Sequence, residues 1–188
     1  MSHSRSLLNV LLAPGERLSE AELRAVVLDG EAISLGGVFV PIDIPVTALT
    51  RAAALGSPML DSRIIISDRS AAWVWGWGPQ PSRVTTCVSI AARIPSPERR
   101  RWHAREVVID DDEHVTLGGV PVTSPERTLL DLARHAPDDS VVPLLAAGIT
   151  ARGLGKSDLV RILDRRPSVS YVVPARRRLL EALRGHTE

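Results

Sequence analysis

The sequence predicts an α+β protein with a small N-terminal module and a larger mixed domain, and three observations carry that prediction. Two glycine pairs, Gly36-Gly37 and Gly118-Gly119, each join two short apolar-rich runs, as in β-hairpins. The second hairpin leads at once into a helix whose start is marked by Ser124-Pro125-Glu126. The final third repeats apolar residues at helical spacing in three further segments.

The stretch from His114 to Arg134 is the most ordered of these signals. Val115 and Leu117 alternate with Thr116 and Gly118, and Val120 and Val122 resume the period of two after the turn. Ser124 is placed to cap the next helix, and Leu129, Leu130, Leu132 and Ala133 give that helix a wide apolar face. Leu129 and Leu132 are expected to be buried against the 115–122 hairpin. Arg127 and Asp131 lie four apart on the same helix. They form either a surface ion pair worth roughly 0.2–0.5 kcal/mol or a partly buried clamp onto the preceding hairpin.

Ahead of this block, residues 4–12 are expected to be a short helix, and a second helix starts at Ser19 with Glu22 completing a capping box. The segments 32–35 and 38–40 then form a hairpin halted by Pro41. Helix, helix and hairpin give the outline of a winged helix-turn-helix over residues 1–44. The remainder, 45–188, is the mixed α/β domain with C-terminal helices. Within it a helix is expected from Thr47 to Leu55 and a strand at 63–66. Ser67 caps a helix that runs to Trp75, and strands follow at 83–90 and 104–109. Trp73, Trp75 and Trp77 cannot share one helical face, so at least one folds back from the Gly76 turn. They are either core side chains or a stacking or partner surface. The helices of the last third cover 141–147, 157–166 and 175–184.

The chain of 188 residues carries a net charge of +1, which by itself names no partner. Its distribution is uneven. Residues 1–50 hold three arginines against six acids, and residues 151–188 hold eight arginines and Lys156 against four acids. A basic run, Arg99-Arg100-Arg101-Trp102-His103-Ala104-Arg105, lies between them. The single cysteine, Cys87, excludes a disulfide framework and sits in mid-strand as a buried thiol. With no signal peptide and no apolar run of membrane-spanning length, a cytoplasmic protein with no membrane contact is expected.

No catalytic residue, metal site or cofactor is nominated, and an enzyme is not expected. Gly155-Lys156-Ser157 resembles the end of a phosphate-binding loop, but the loop's first glycine would fall at Thr150. A serine N-cap after a glycine turn is the reading that explains the triplet. Asp131 and His135 share a helical face without further ligands at readable spacing. Asp110-Asp111-Asp112-Glu113 is a solvated turn by default, with cation binding the alternative.

Taken in order, Gly37-Val38-Phe39-Val40-Pro41, Ser70-Ala71-Ala72-Trp73-Val74-Trp75-Gly76, Arg105-Glu106-Val107-Val108-Ile109 and the block from Leu117 to Arg134 are similar to the AbiEi-like antitoxin family of type IV toxin–antitoxin systems, in its actinobacterial branch. The resemblance implies an N-terminal winged helix that represses the operon. It also implies a second α/β domain that counters a nucleotidyltransferase toxin, with Trp73, Arg127 and Asp131 as motif positions. Some relatives add a nuclease-like C-terminal domain, and this chain is expected to lack it. The partners so implied are DNA, a nucleotidyltransferase-like toxin and a second copy in a homodimer. DNA-binding relatives carry several arginines on the helix before the wing, whereas the matching positions 21–29 hold Arg24 alone beside Glu22 and Asp29, just after Glu20. Either the N-terminal module is a degenerate scaffold, or DNA contacts have moved to Arg99, Arg100, Arg101, Arg105, Arg176, Arg177 and Arg178, on which any DNA binding is expected to depend. The alternative is an interaction domain that does not bind DNA.

Overall fold

The computed structural model describes residues 11–15, 18–56, 61–165 and 172–185, in a mixed α+β arrangement with a two-stranded and a five-stranded sheet. The helix expected at 4–12 lies outside the described residues up to residue 10. Leu12 itself is extended and pairs with Phe39 through two 2.9 Å backbone hydrogen bonds.

Helix α1 (Glu20–Leu28) starts as its sequence requires. The Ser19 hydroxyl accepts from the Glu22 N–H at 3.3 Å, and the Glu22 carboxylate accepts from the Ser19 N–H at 2.7 Å. Only Leu23 of this helix is buried. Strands β1 (Ala32–Leu35) and β2 (Val38–Pro41) pair antiparallel about Gly36 and Gly37, whose positive φ values of 63° and 92° suit a tight hairpin turn. Val38, Phe39 and Val40 are all buried, because β2 lies between β1 and Leu12.

The larger sheet runs β5-β4-β3-β7-β6. Helix α2 (Ala48–Gly56) precedes β3 (Ile65–Ile66), and α3 (Asp68–Val74) leads to β4 (Thr86–Ser89). A six-residue helix α4 (Ser96–Arg101), not expected from the sequence, leads into β5 (Arg105–Val107). A short 3-10 turn (Asp111–Glu113) then opens the hairpin of β6 (His114–Leu117) and β7 (Val120–Thr123). β3 is antiparallel to β4 and parallel to β7, so it joins the two halves of the sheet with two residues. The helical layer comprises α5 (Pro125–His135), α6 (Val142–Arg152), α7 (Lys156–Asp164) and α8 (Val172–Arg184).

The apolar interior divides in two. Leu129 and Leu132 are buried as expected, but among α6, α7, α8 and Trp77 and not against the hairpin. Val120 and Val122 instead share a cluster with α2, Trp73 and the N-terminal strands. The difference arises because α5 is covered on two sides: its apolar face meets helices, while Arg127 and Thr128 turn toward the sheet. Gly148 makes the helix crossing close, since a Cβ there would lie 2.8 Å from the Trp77 ring and 3.0 Å from Leu129. Trp77 folds back after Gly76, donating its backbone N–H to the Ala72 carbonyl at 2.9 Å. Trp73 and Trp77 are core side chains, and half-buried Trp75 donates its indole N–H to the Thr123 carbonyl at 3.0 Å.

Candidate functional site

The charged centre of the molecule is built from the first two turns of α5. Ser124 caps the helix by accepting from the Arg127 N–H at 3.3 Å. That fixes Arg127 one turn in, with its guanidinium directed at the segment that follows β5. Its Nε donates to Asp131 Oδ1 at 3.0 Å, and its Nη1 donates to Glu113 Oε2 at 2.8 Å and to the Val108 carbonyl at 3.0 Å. Arg127, Glu113 and Asp131 are 6%, 2% and 1% exposed, so this is a buried clamp and not a surface pair. It grips the 3-10 turn before the hairpin. Glu113 consequently departs from the solvated turn expected for the acidic run. Its carboxylate also accepts from the Asp110 N–H at 2.9 Å, closing a capping box around the turn.

A half-open outer ring surrounds the clamp. Arg105 reaches Asp68 Oδ2 at 3.3 Å and Asp131 Oδ1 at 3.8 Å, and His135 Nδ1 lies 3.6 Å from Asp131 Oδ1 and 4.0 Å from Asp68 Oδ1. Asp68 opens α3 with φ of +50°, a left-handed backbone that a non-glycine residue adopts only when its surroundings hold it there. Burial, and then the Asp68 charge, push the Asp131 carboxyl up to about 6 against the pull of Arg127 and Arg105. Burial, and then Arg105, hold the His135 imidazole down at about 4, so it is neutral at pH 7. The Cys87 thiol beneath them is pushed up to about 12, by burial first and then by Asp131 and Asp68, which makes it inert as a nucleophile.

The two titrations act in opposite directions. Asp131 has a raised folded value, so its contribution to stability is complete below its ordinary 3.8 and is lost as pH rises through about 6. His135 has a lowered folded value, so its contribution is complete above 6.5 and is lost as pH falls through about 4. The terms offset one another in the wild type between about pH 4 and 6.5. Relative to wild type, His135→Gln is expected to gain stability on acidification through this window, and Asp131→Asn to lose it. Urea unfolding across the window checks this, and parallel stability curves for all three proteins would refute it.

Among the described residues, no group of three or more His, Cys, Asp and Glu side chains is arranged to hold a metal ion. Asp131 and His135 belong to the charge network just described. The seven arginines expected to contact DNA separate into kinds. Arg105 lies on the inward face of β5 beside buried Val107, and its guanidinium is spent on Asp68 and Asp131. Arg178 is buried, donating to Asp139 Oδ1 and to the Ala133 carbonyl, both at 2.9 Å. Arg99 pairs with Glu106 at 2.5 Å, and Arg177 with Asp139 at 2.7 Å. Arg100, Arg101 and Arg176 are exposed, and the Arg101 guanidinium stands 5.3 Å from the centre of the Trp102 ring. Sequence patterns hold the signal for the two internal arginines. Arg105 shares the strand period of Val107, and Arg178 shares the helical face of Ala175 and Ala182. Asp68, Glu113 and Asp139, their partners or neighbours, carry no such signal.

Fold and charge arrangement together define an α+β protein whose interior ions fasten a sheet to a helical layer, leaving its other cations at the surface. The chain belongs to the AbiEi antitoxin C-terminal domain family, which it matches over residues 65–182. Membership supports an antitoxin role in a toxin–antitoxin system, with a toxin as partner. No curated protein matches the sequence. Among solved structures, the crystal structure of the RV2827C protein from Mycobacterium tuberculosis is similar, at 18% identity and a TM-score of 0.47, over 99% of this chain and 76% of that one. No helix among the described residues is long and apolar enough to cross a membrane.

Proposed function

We propose that this antitoxin is also a transcriptional regulator that binds DNA in the cytoplasm as a homodimer, and that its toxin is nucleotidyltransferase-like. Residues 1–44 form a degenerate winged-helix module, and residues 45–188 form the antitoxin domain that supplies the DNA contacts. The observation that supports this best is the concentration of charge on α4. Arg99, Arg100 and Arg101 fill its last turn, and Trp102 lies beneath Arg101. By contrast α1 carries Glu20 and Glu22 in its first turn, and Arg24, its one arginine, is held by Glu20 at 2.6 Å. Phosphate neutralisation supplies most non-specific affinity, which favours α4 over α1 as the contact. Arg176 and Arg177 extend the contact, while Arg105 and Arg178 serve it indirectly by holding β5 and α8 in place.

Salt titration of binding to the DNA upstream of the protein's own gene tests the assignment. Each arginine removed from a phosphate is expected to lower the slope of log affinity against log salt by about one unit. The Arg99/Arg100/Arg101→Ala variant should therefore show a clearly shallower slope than wild type, and Arg24→Ala the same slope. A loss confined to Arg24→Ala would return the contact to α1. A second reading, an interaction protein that does not bind DNA, is favoured by Leu28, which is 87% exposed on α1, and by the ion pairing of Arg99 and Arg177. Absence of wild-type binding even at about 50 mM salt would establish that reading.

A further inference from the structure

Helices α7 and α8 meet over a narrow apolar groove on the helical layer. Leu159 and Leu179, both fully buried, form its floor, and half-buried Val160 and Leu180 form its walls. Lys156 and Arg176 stand exposed at its mouth, one on each helix, with no carboxylate among the described residues that line it. The groove encloses about 160 Å³, below the roughly 300–1,000 Å³ typical of small-molecule sites, and suits single side chains. The apolar strip does not end at the groove. Val173, 80% exposed, lies three residues before Arg176 and seven before Leu180 on one face of α8.

We propose that this groove docks a segment of a partner protein that presents an apolar anchor flanked by carboxylates. The half-buried walls Val160 and Leu180 give nothing to a nucleic-acid backbone, whereas an aliphatic or aromatic side chain set between them covers their remaining apolar surface. The two cations then select acidic flanks by charge complementarity, and the basic surplus of residues 151–188 draws the same kind of partner from a distance. An amphipathic helix laid along the groove would place one anchor over Leu159 and Leu179 and the next over Val173. The proposal goes beyond DNA binding: Arg176 is shared with the proposed DNA contact, whereas Lys156 and Leu180 lie outside it, and the test rests on those two.

The experiment uses the full-length protein and two fluorescent synthetic peptides, each helical with one leucine face, the remaining face being glutamate in one and lysine in the other. Fluorescence anisotropy should show binding of the glutamate peptide and none of the lysine peptide. Lys156→Glu and Leu180→Ser should each weaken the glutamate peptide by about tenfold or more, a loss of roughly 1.4 kcal/mol. Lys156 and Leu180 are not core residues, and unchanged unfolding curves for both variants would confirm that the loss is local. Equal binding of both peptides, or binding indifferent to both substitutions, would overturn the proposal. So would concentration-dependent self-association abolished by Leu180→Ser, which would give the groove to a second copy. Duplex-DNA binding lost in Lys156→Glu would assign the groove to nucleic acid and overturn it as well. Failure of the DNA-binding proposal leaves the peptide result unaffected, so the two are distinguishable.

Discussion

Arg127→Ala is expected to lower folding stability by about 3–5 kcal/mol. The size follows from what the substitution leaves behind. Glu113 and Asp131 are 2% and 1% exposed, and each loses a guanidinium hydrogen bond at 3.0 Å or less. The Val108 carbonyl loses its donor in the same step. A carboxylate that loses its guanidinium in a poorly solvated site must either stay charged with less compensation or take up a proton, and both are unfavourable at pH 7. Arg127→Lys should recover only part of the loss. A lysine is a point charge and cannot hold Asp131, Glu113 and Val108 in the fixed geometry of a guanidinium. Urea unfolding at pH 7 measures both variants. A loss below about 1 kcal/mol for Arg127→Ala would show that the clamp contributes little to holding α5 on the sheet.

Leu132→Ala is expected to cost about 2–5 kcal/mol, through lost transfer free energy and the cavity left among α6, α7 and α8. Leu132 is 1% exposed, and its neighbours in the cluster include Leu129, Leu145 and Leu159, all buried. The crossing at Gly148 limits collapse around the cavity, because α6 already stands close against Trp77. The effect should therefore fall in the upper part of the range. Equilibrium unfolding measures it, and a loss below about 1 kcal/mol would remove α5 from the centre of the helical layer.

Elements fixed by local chemistry were legible in the sequence. Both hairpins follow from glycine pairs that take positive φ, and the starts of α1 and α5 follow from serine caps that the structure contains. The location of Trp77 follows from Gly76 and the impossibility of three tryptophans on one helical face. What escaped depends on partners distant in sequence. α4 is hidden in a run of arginines because no residue of it is buried, so no apolar period marks it. The burial of Glu113 is invisible in a run of four acids, since Arg127, the guanidinium that holds it inside, lies fourteen residues on. The partner of the Arg127–Asp131 clamp was placed one element too late for the same reason. Arg105 and Arg178 could have been assigned inward from their strand and helix periods, but their charge argued for the surface. Asp139, which receives Arg177 and Arg178, opens a three-residue 3-10 turn (Asp139–Val141), too short to show a period.

The inward Arg178 has a consequence for synthesis on the ribosome. Its donors reach back forty-five residues to the Ala133 carbonyl and thirty-nine to Asp139, and Ala175 and Leu179 beside it complete the larger apolar cluster. At about 5–20 residues per second, the earlier helices wait several seconds for α8 with apolar surface uncovered. Over that interval the nascent chain presents leucine-rich α5 and α6 to chaperones and proteases. A chain that ends between α5 and α8 lacks the cover for that apolar surface, so the cluster is complete only once α8 has been made.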